Sequence, residues 1–328
     1  MRFTEDSKEL KVGDGFWKQA TKLGDYRQDF IDVREQVVAG ERGVLADWLT
    51  LTKPRIGSFI FLAALIGAAL ASGAHVPWAL ACEAAFYVTC AAAAGSALNQ
   101  VLERDTDRRM LRTCERPVAA GRIRMRDAIL FGSTLALVGI AGLAVRFNLL
   151  AALLTCATLF AYVAVYTPLK RVSTLNTVVG ALPGAAPPLL GYVALAGSTG
   201  RWAWALFALI FVWQFPHFLA IAWIYRADYA RAGLRMLPAV PGGQGVASRS
   251  ALSYALVLIP VALVPAVCGD ASALYGLGAL VASLVYAAAA LRFAWREDER
   301  GARLLLRVSL VYLPLVLALA LFDPVARG

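Results

Sequence analysis

The stretch that decides the fold covers residues 78–117 and reads WALACEAAFYVTCAAAAGSALNQVLERDTDRRMLRTCERP. Its first half, residues 78–98, is a nearly unbroken apolar run. At 1.5 Å per residue, an α-helix of that length crosses a hydrocarbon layer about 30 Å thick. The second half is rich in carboxylates and arginines, which belong at the membrane surface. The stretch therefore predicts a membrane-spanning helix that ends in a charged segment.

Apolar runs of the same kind recur along the chain. The composition agrees, because 59% of the 328 residues are hydrophobic and 16% are charged, against about 25% charged residues in soluble domains. Glycine, alanine and serine are frequent in these runs and allow helices to approach closely in lipid. The sequence predicts an all-α integral membrane protein, a bundle of nine transmembrane helices at roughly 56–73, 78–98, 128–145, 148–166, 176–197, 202–223, 251–269, 272–291 and 304–321.

Basic residues mark one side of the membrane. Of the 32 lysines and arginines, 28 lie in residues 1–55 or in alternate connections between the runs, and three lie in the opposite connections and the tail. By the positive-inside rule, the N-terminus and the long loops are cytoplasmic, and nine spans leave the C-terminus external. The net charge of +10 is therefore assigned to anchoring in the cytoplasmic (inner) membrane, with lipid and not nucleic acid as the partner.

The chain divides into three predicted parts. Residues 1–47 form a polar cytoplasmic arm, since they lack the apolar core of a signal peptide. Residues 48–322 form the intramembrane domain, and residues 323–328 form a short external tail. The five cysteines are odd in number and lack CxxC spacing, so they indicate neither a disulfide framework nor a zinc site.

Three oxygen-bearing side chains follow the second apolar run at helical spacing. Asn99, Glu103 and Asp107 stand at i, i+4 and i+8, so a helix projects them within roughly 80° of one another. Such oxygens suit Mg²⁺, and the arginines that follow suit a polyphosphate. The pattern predicts a Mg²⁺ and polyphosphate site. The alternative is a solvated helix end with salt bridges to Arg108 or Arg112.

A second polar segment follows the sixth run. Residues 213–238 read WQFPHFLAIAWIYRADYARAGLRMLP and place a proline and His217 inside an apolar span. An imidazole there is costly unless it is paired, which favours a functional pocket over the alternative of a hydrogen-bonded bundle residue. The cytoplasmic end of this segment offers another carboxylate and further phosphate donors at Arg226, Asp228 and Tyr229.

Two shorter loops carry lysines and arginines on the same side. The loop YTPLKRVSTLN, residues 166–176, contains Lys170 and Arg171, and LTKPR, residues 51–55, contains Lys53. These cations are candidate phosphate contacts. The alternative is that they are topology anchors, which is the commoner use of basic residues at the ends of spans.

The polar segments together resemble those of a known family. Over about residues 48–320, the chain resembles the protoheme IX farnesyltransferases, a branch of the UbiA superfamily of intramembrane prenyltransferases, in the segments LTKPRI, NQVLERDTDRRMLRTCERPVAAGRI, YTPLKRVSTLNTVVGALPGAAPPLLGY and WQFPHFLAIAWIYRADYARAGLRMLP. The resemblance implies a nine-helix bundle around a cytoplasm-facing cavity. It also implies Mg²⁺-dependent transfer of farnesyl from farnesyl diphosphate to a vinyl group of haem b, giving haem O.

The resemblance also implies roles for individual residues. It places Asn99, Glu103 and Asp107 as ligands of Mg²⁺ and diphosphate. It places Arg112 and Arg116 on diphosphate or on the haem propionates. The superfamily's second DxxxD motif is absent, since the corresponding segment reads YRADY with Asp228 as its one acid. His217 and Trp213, with Tyr229, are assigned to the haem and prenyl half of the site.

Two other classes of function remain open at this stage. One is a UbiA-type prenyltransferase for a quinone precursor or another aromatic acceptor, and the other is a haem carrier or transporter without catalysis. The polar residues gather at the cytoplasmic ends of the spans instead of the midplane, which argues against a transporter. The resemblance leaves open a partnership with haem A synthase or with assembly factors of haem-copper oxidases.

Overall fold

The computed structural model describes residues 43–326, in which all regular structure is helical. Within that range nine helices are long and apolar enough to cross a membrane, which confirms the predicted fold class. We call them the first to ninth spans, and their bounds are Pro54–Ala71, Trp78–Leu102, Met125–Arg146, Leu149–Leu169, Asn176–Ala196, Arg201–Ile224, Gly243–Val267, Ala273–Arg296 and Glu299–Phe322.

Several spans extend beyond their apolar runs. The ninth begins at Glu299, where the Asp298 side chain accepts a hydrogen bond from the Gly301 amide at 2.6 Å. The seventh begins at Gly243, eight residues before its predicted start. Helical hydrogen bonds do not require apolar side chains, so a helix continues past the hydrocarbon until its backbone is capped. The hydrophobic pattern predicted the existence of the spans better than their ends.

Close backbone contact joins the first and fifth spans. A Cβ atom added to Gly67 would lie 1.9 Å from the carbonyl oxygen of Pro188, and one added to Gly191 would lie 1.9 Å from that of Ala64. No side chain fits at either glycine without moving the neighbouring backbone. The small residues therefore act as expected, letting two helices meet where lipid gives no hydrophobic drive for association.

The connections rich in lysine and arginine meet at one end of the bundle. Lys170, after the fourth span, bonds to Glu103, after the second span, and its carbonyl accepts the Arg235 amide, after the sixth span. The alternate connections meet at the other end, where Arg201 pairs with Asp270. This grouping is the one that the distribution of basic residues predicted, and it brings all the polar segments singled out above to the same end.

A short helix, Val44–Thr52, packs against this end of the bundle. Asp47 forms an ion pair with Arg122 at 2.8 Å, and the Trp48 ring meets Phe131 edge-on at 5.0 Å. Residues 44–47, which the sequence assigned to the N-terminal arm, therefore pack with the intramembrane domain. The remainder of the arm, residues 1–42, and the last two residues of the tail lie outside the described residues.

Candidate active site

The three predicted Mg²⁺ ligands share one buried face. The second span ends at Leu102, and the one-turn helix Arg104–Asp107 follows it. The Glu103 amide donates to the Asn99 carbonyl at 2.9 Å and the Asp107 amide to the Glu103 carbonyl at 2.7 Å. The i to i−4 hydrogen-bond pattern therefore continues across Glu103, where one helix ends and the next begins. Asn99, Glu103 and Asp107 are consequently only 1%, 6% and 2% exposed.

Two cations neutralise the two carboxylates, Arg116 from the same segment and Lys170 from the connection after the fourth span. Lys170 Nζ lies 2.7 Å from Glu103 Oε1. Arg116 Nη1 donates to both oxygens of Asp107, at 2.9 and 2.8 Å, and lies 3.8 Å from Glu103. The predicted alternative, a solvated helix end with salt bridges to Arg108 or Arg112, does not form, because both acids are buried, Arg108 donates to the Ala119 carbonyl and Arg112 to the Tyr229 hydroxyl.

The pKa shifts in this cluster follow from burial and from the paired charges. Burial disfavours the charge of Glu103, but Lys170 outweighs it and holds the Glu103 pKa below its usual value. Burial likewise opposes the charge of Arg116, but Asp107 raises the Arg116 pKa above its usual range. Burial also raises the pKa of Asp107 despite that bidentate pair. The cluster thus carries charges that water does not stabilise, which is common at functional sites.

Lys53 is a third cation of this cluster, and its backbone conformation is unusual. It lies between the Val44–Thr52 helix and the first span with φ of 51° and ψ of 63°, a left-handed conformation rare for a side chain that precedes proline. Burial and the nearby charges of Arg116 and Lys170 lower the Lys53 pKa to about 7. Among the described residues its ammonium has no carboxylate partner within 4.0 Å.

A π-helical turn at the end of the fourth span brings tyrosines to the cluster. Residues Ala161–Tyr166 form this turn, and the Tyr166 ring lies 4.4 Å from Lys170 Nζ. Thr167 Oγ1 donates to the Tyr162 carbonyl at 2.8 Å and accepts from Asn99 Nδ2 at 3.1 Å. The sequence reasoning missed these tyrosines, although the spacing of Tyr166 and Lys170 at i and i+4 was a usable signal.

The second polar segment supplies a separate contact with the first. Arg112 Nη2 lies 2.9 Å from the Tyr229 hydroxyl, and the guanidinium stacks over Tyr225 at 4.8 Å from the ring centre. Asp228 pairs with Arg231 at 2.6 Å on the same short helix. Within residues 43–326 no three His, Cys, Asp or Glu side chains lie close enough to hold one metal ion. Asp228 is therefore not gathered with the two acids of the first cluster.

Two predicted diphosphate contacts lie at helix ends. Arg171 is exposed and donates to the Leu102 carbonyl at 2.9 Å. Arg226 donates to the Trp223 carbonyl at 2.8 Å and stacks on the Trp223 ring at 5.3 Å. Both cations satisfy the last carbonyls of a span in this arrangement, and neither pairs with Glu103 or Asp107.

His217 and Trp213 lie deeper in the sixth span. Their rings stack with centroids 4.9 Å apart, and His217 Nδ1 lies 2.7 Å from Ser309 Oγ in the ninth span. Seven residues separate His217 from Ile224 at the end of the span, which is about 10 Å along the helix axis. The structure thus separates an aromatic region containing His217 from the charged cluster at the bundle end.

Comparison with known proteins places this geometry in a family. The model of the UbiA prenyltransferase family matches residues 60–311. A curated relative from Solibacter usitatus, named protoheme IX farnesyltransferase, is 40% identical over 288 residues, which cover 85% of this chain and 99% of the relative.

Solved structures show the same fold at low identity. A digeranylgeranylglyceryl phosphate synthase has a TM-score of 0.72 and 15% identity, with 86% of this chain and 98% of that one covered. A UbiA homologue from Archaeoglobus fulgidus bound to GPP and Mg²⁺ has a TM-score of 0.61 and 16% identity, with 83% and 99% covered. The chain therefore belongs to the UbiA prenyltransferase family, and the curated relatives that it matches over most of its length are protoheme IX farnesyltransferases.

Proposed function

We propose that this chain transfers the farnesyl group of farnesyl diphosphate to a vinyl group of haem b, giving haem O and diphosphate. The main structural support for this reaction is the buried cluster of charged side chains at the bundle end, which consists of Glu103, Asp107, Lys53, Arg116 and Lys170. Such a cluster suits a polyanionic ligand that arrives with a divalent cation. The acceptor is inferred from the curated relatives.

The donor set at the cluster fits Mg²⁺. Asn99 donates its amide nitrogen to Thr167, and its carbonyl oxygen accepts no hydrogen bond from the described residues. This oxygen and the two carboxylates are ligands that Mg²⁺ prefers, with the diphosphate completing the coordination. We assign the ion to Asn99, Glu103 and Asp107. When bound, it would neutralise charge that builds on the leaving diphosphate.

The cations of the cluster would exchange partners when the substrate arrives. In the arrangement described here, Lys170 and Arg116 neutralise the carboxylates. A bound diphosphate offers them stronger charge-assisted bonds and leaves the carboxylates for the metal. Among residues 43–326, Lys53 has no carboxylate to give up, so it is the cation of this cluster most readily available to a phosphate oxygen.

Arginines outside this cluster would extend the diphosphate site. Arg112 stacks on the Tyr225 and Tyr229 rings, and we assign it to a phosphate of the bound substrate. Arg171 and Arg226 would join only by leaving the helix ends that they now cap. Asp228 would serve as a further ligand or catalytic group only after releasing Arg231.

The reaction requires that the prenyl donor lose its diphosphate before water reaches the active site. The allylic C–O bond of farnesyl diphosphate breaks and its electron pair leaves with diphosphate. The terminal carbon of the haem vinyl group then bonds to the farnesyl carbon, and water adds to the other vinyl carbon as hydroxyl while a proton is released. We assign Trp213 and His217 to the acceptor side, where their rings would exclude water during the first step. Tyr229, which bonds to Arg112, would lie on the diphosphate side.

We further propose that the protein lies in the cytoplasmic membrane with its N-terminus and charged cluster on the cytoplasmic side. The connections rich in lysine and arginine meet at the end of the bundle that carries the charged cluster, and the positive-inside rule assigns such connections to the cytoplasmic side. The product would pass to a membrane protein such as haem A synthase or an assembly factor of a haem-copper oxidase.

A competition between acceptors tests the proposal. Purified protein in lipid vesicles would receive labelled farnesyl diphosphate, Mg²⁺ and equal amounts of haem b and an aromatic quinone precursor. We expect label in the haem fraction and its loss in Glu103→Gln. Label in the aromatic compound would assign the chain to the other class of prenyltransferase, and haem binding without label in either acceptor would indicate a carrier.

A further inference from the structure

His217 is an unusual residue for its surroundings. It lies half-buried in the sixth span, between the Trp213 ring at 4.9 Å and the Phe218 ring at 5.5 Å. The chain has one other histidine, His75, which is exposed in a short connection. An imidazole inside a span is expected to be uncharged and to need a polar partner.

The hydroxyl of Ser309 decides which nitrogen of His217 carries hydrogen. Ser309 Oγ donates to the Leu306 carbonyl at 2.6 Å, and a hydroxyl has one hydrogen to give. While that hydrogen lies on the Leu306 carbonyl, the Ser309 oxygen can accept a hydrogen bond from His217 Nδ1, 2.7 Å away. In that arrangement a neutral ring carries its hydrogen on Nδ1 and its lone pair on Nε2.

The surrounding contacts keep Ser309 and the ring in place. Ser309 is fully buried, and its carbonyl accepts the Trp213 indole N–H at 3.1 Å. The Tyr286 hydroxyl in turn donates to the Trp213 carbonyl at 3.2 Å. Trp213 is thus tied to two other spans while it stacks on His217, so the imidazole has little freedom to turn over.

We propose that Ser309 is a positioning residue, which holds His217 in the Nδ1–H form so that Nε2 presents its lone pair to the iron of bound haem. Nε2 forms no hydrogen bond with any group in the part of the chain that the structure describes. A neutral imidazole nitrogen is a common iron ligand, and an acceptor on the other nitrogen fixes the tautomer and strengthens the ligand. This inference rests on the proposed function, because it takes haem as the acceptor.

The tautomer can be measured without haem. Protein labelled with ¹⁵N in its two histidines gives separate nitrogen signals, and His75→Gln assigns them. We expect wild-type His217 to show an unprotonated Nε2, and Ser309→Ala to show a mixture of tautomers. Ser309→Thr keeps the hydroxyl and should restore one form. Ser283→Ala, which removes another fully buried serine hydroxyl bound to Tyr312, is the matched control and should leave the His217 signals unchanged.

Haem titration then tests whether the Nδ1–H tautomer of His217 supports binding of the haem iron. We expect ferric haem b to give the absorption spectrum of an imidazole-ligated iron in wild type and to lose it in His217→Ala. Ser309→Ala should weaken haem binding about 10–100-fold, with the affinity for a farnesyl diphosphate analogue unchanged. Ser309→Thr should recover the wild-type values.

The outcomes separate this inference from the proposed function. A protonated Nε2 in wild type, or the same single tautomer in Ser309→Ala, would overturn the role of Ser309. Haem that binds with an identical spectrum in wild type and His217→Ala would overturn the iron contact while leaving haem as the substrate. A wild-type protein that farnesylates an aromatic compound and binds no haem would overturn the proposed function itself.

Discussion

Replacing Glu103 by glutamine removes one negative charge from the cluster and almost no volume. The amide oxygen of glutamine can still accept from Lys170 Nζ, which lies 2.7 Å from the present carboxylate. We therefore expect the variant to insert and fold. We also expect it to bind Mg²⁺ poorly, because a neutral amide is a weaker ligand than a carboxylate.

The size of the effect can be set from the geometry. Loss of one preorganised charge at the leaving group lowers turnover by about 10²–10³-fold, or about 2.7–4 kcal/mol of transition-state stabilisation. Removing one partner of a buried ion pair costs about 3–5 kcal/mol of folding free energy. The retained bond to Lys170 should keep the loss near or below the lower end of that range.

The direction in which Glu103→Gln changes the affinity for a farnesyl diphosphate analogue distinguishes a metal ligand from an acid with a structural role. Without Mg²⁺, the affinity for a farnesyl diphosphate analogue should stay the same or rise in Glu103→Gln, since the cluster becomes more positive. Mg²⁺ should raise the affinity of the wild-type protein for the analogue, and Glu103→Gln should not show this gain. Calorimetric titration with and without Mg²⁺ measures both.

Asp107→Asn should behave like Glu103→Gln, and Asp105→Asn is the control. Asp105 is exposed on the same one-turn helix, so its replacement removes the same charge two residues away. We expect that control to keep full turnover. Near-normal turnover in Glu103→Gln or Asp107→Asn, with Mg²⁺ still enhancing binding, would refute the assignment of these residues as metal ligands.

Three further predictions follow from the same structure. A reporter fused after residue 328 should read as external and one within residues 105–125 as cytoplasmic, and a cytoplasmic C-terminus would contradict the nine spans. His217→Ala should weaken haem binding and leave that of the diphosphate analogue nearly intact, whereas parallel loss of both ligands would indicate a structural role. Because the Lys53 pKa is about 7, the ammonium is charged below that pH and neutral above it. Affinity for the analogue should therefore fall by up to about tenfold per pH unit above neutrality. Calorimetry in buffers of different ionisation enthalpy should show that binding of the analogue takes up a proton, and that Lys53→Met abolishes this uptake. If affinity in Lys53→Met fell with pH as steeply as in wild type, Lys53 would not be the phosphate contact.

The sequence allowed the spans and one face of the site to be predicted, because both depend on local periodicity. The spacing of Asn99, Glu103 and Asp107 places them on one side of any helix, and the structure keeps them there even though the helix is interrupted at Glu103. Apolar length likewise determines how many spans a chain can form.

The partners of that face could not be predicted, since they depend on tertiary packing. Lys170 reaches Glu103 from 67 positions away, and its neighbour Arg171 caps a helix end instead. A cation that anchors topology and one that pairs with a buried acid look the same in sequence. The contact of Ser309 with His217 joins two apolar spans over 92 positions, and no local pattern marks a serine in such a run.

The mass of the haem extracted from membranes shows directly whether this chain farnesylates haem b. Membranes that contain wild-type protein, Asp105→Asn or Glu103→Gln would be prepared in parallel, and their haem would be analysed by mass spectrometry. We expect haem that has gained a farnesyl group and a hydroxyl group with wild type and Asp105→Asn, and unmodified haem b with Glu103→Gln. Unmodified haem b from all three membranes, or modified haem in equal amounts from all three, would contradict this expectation.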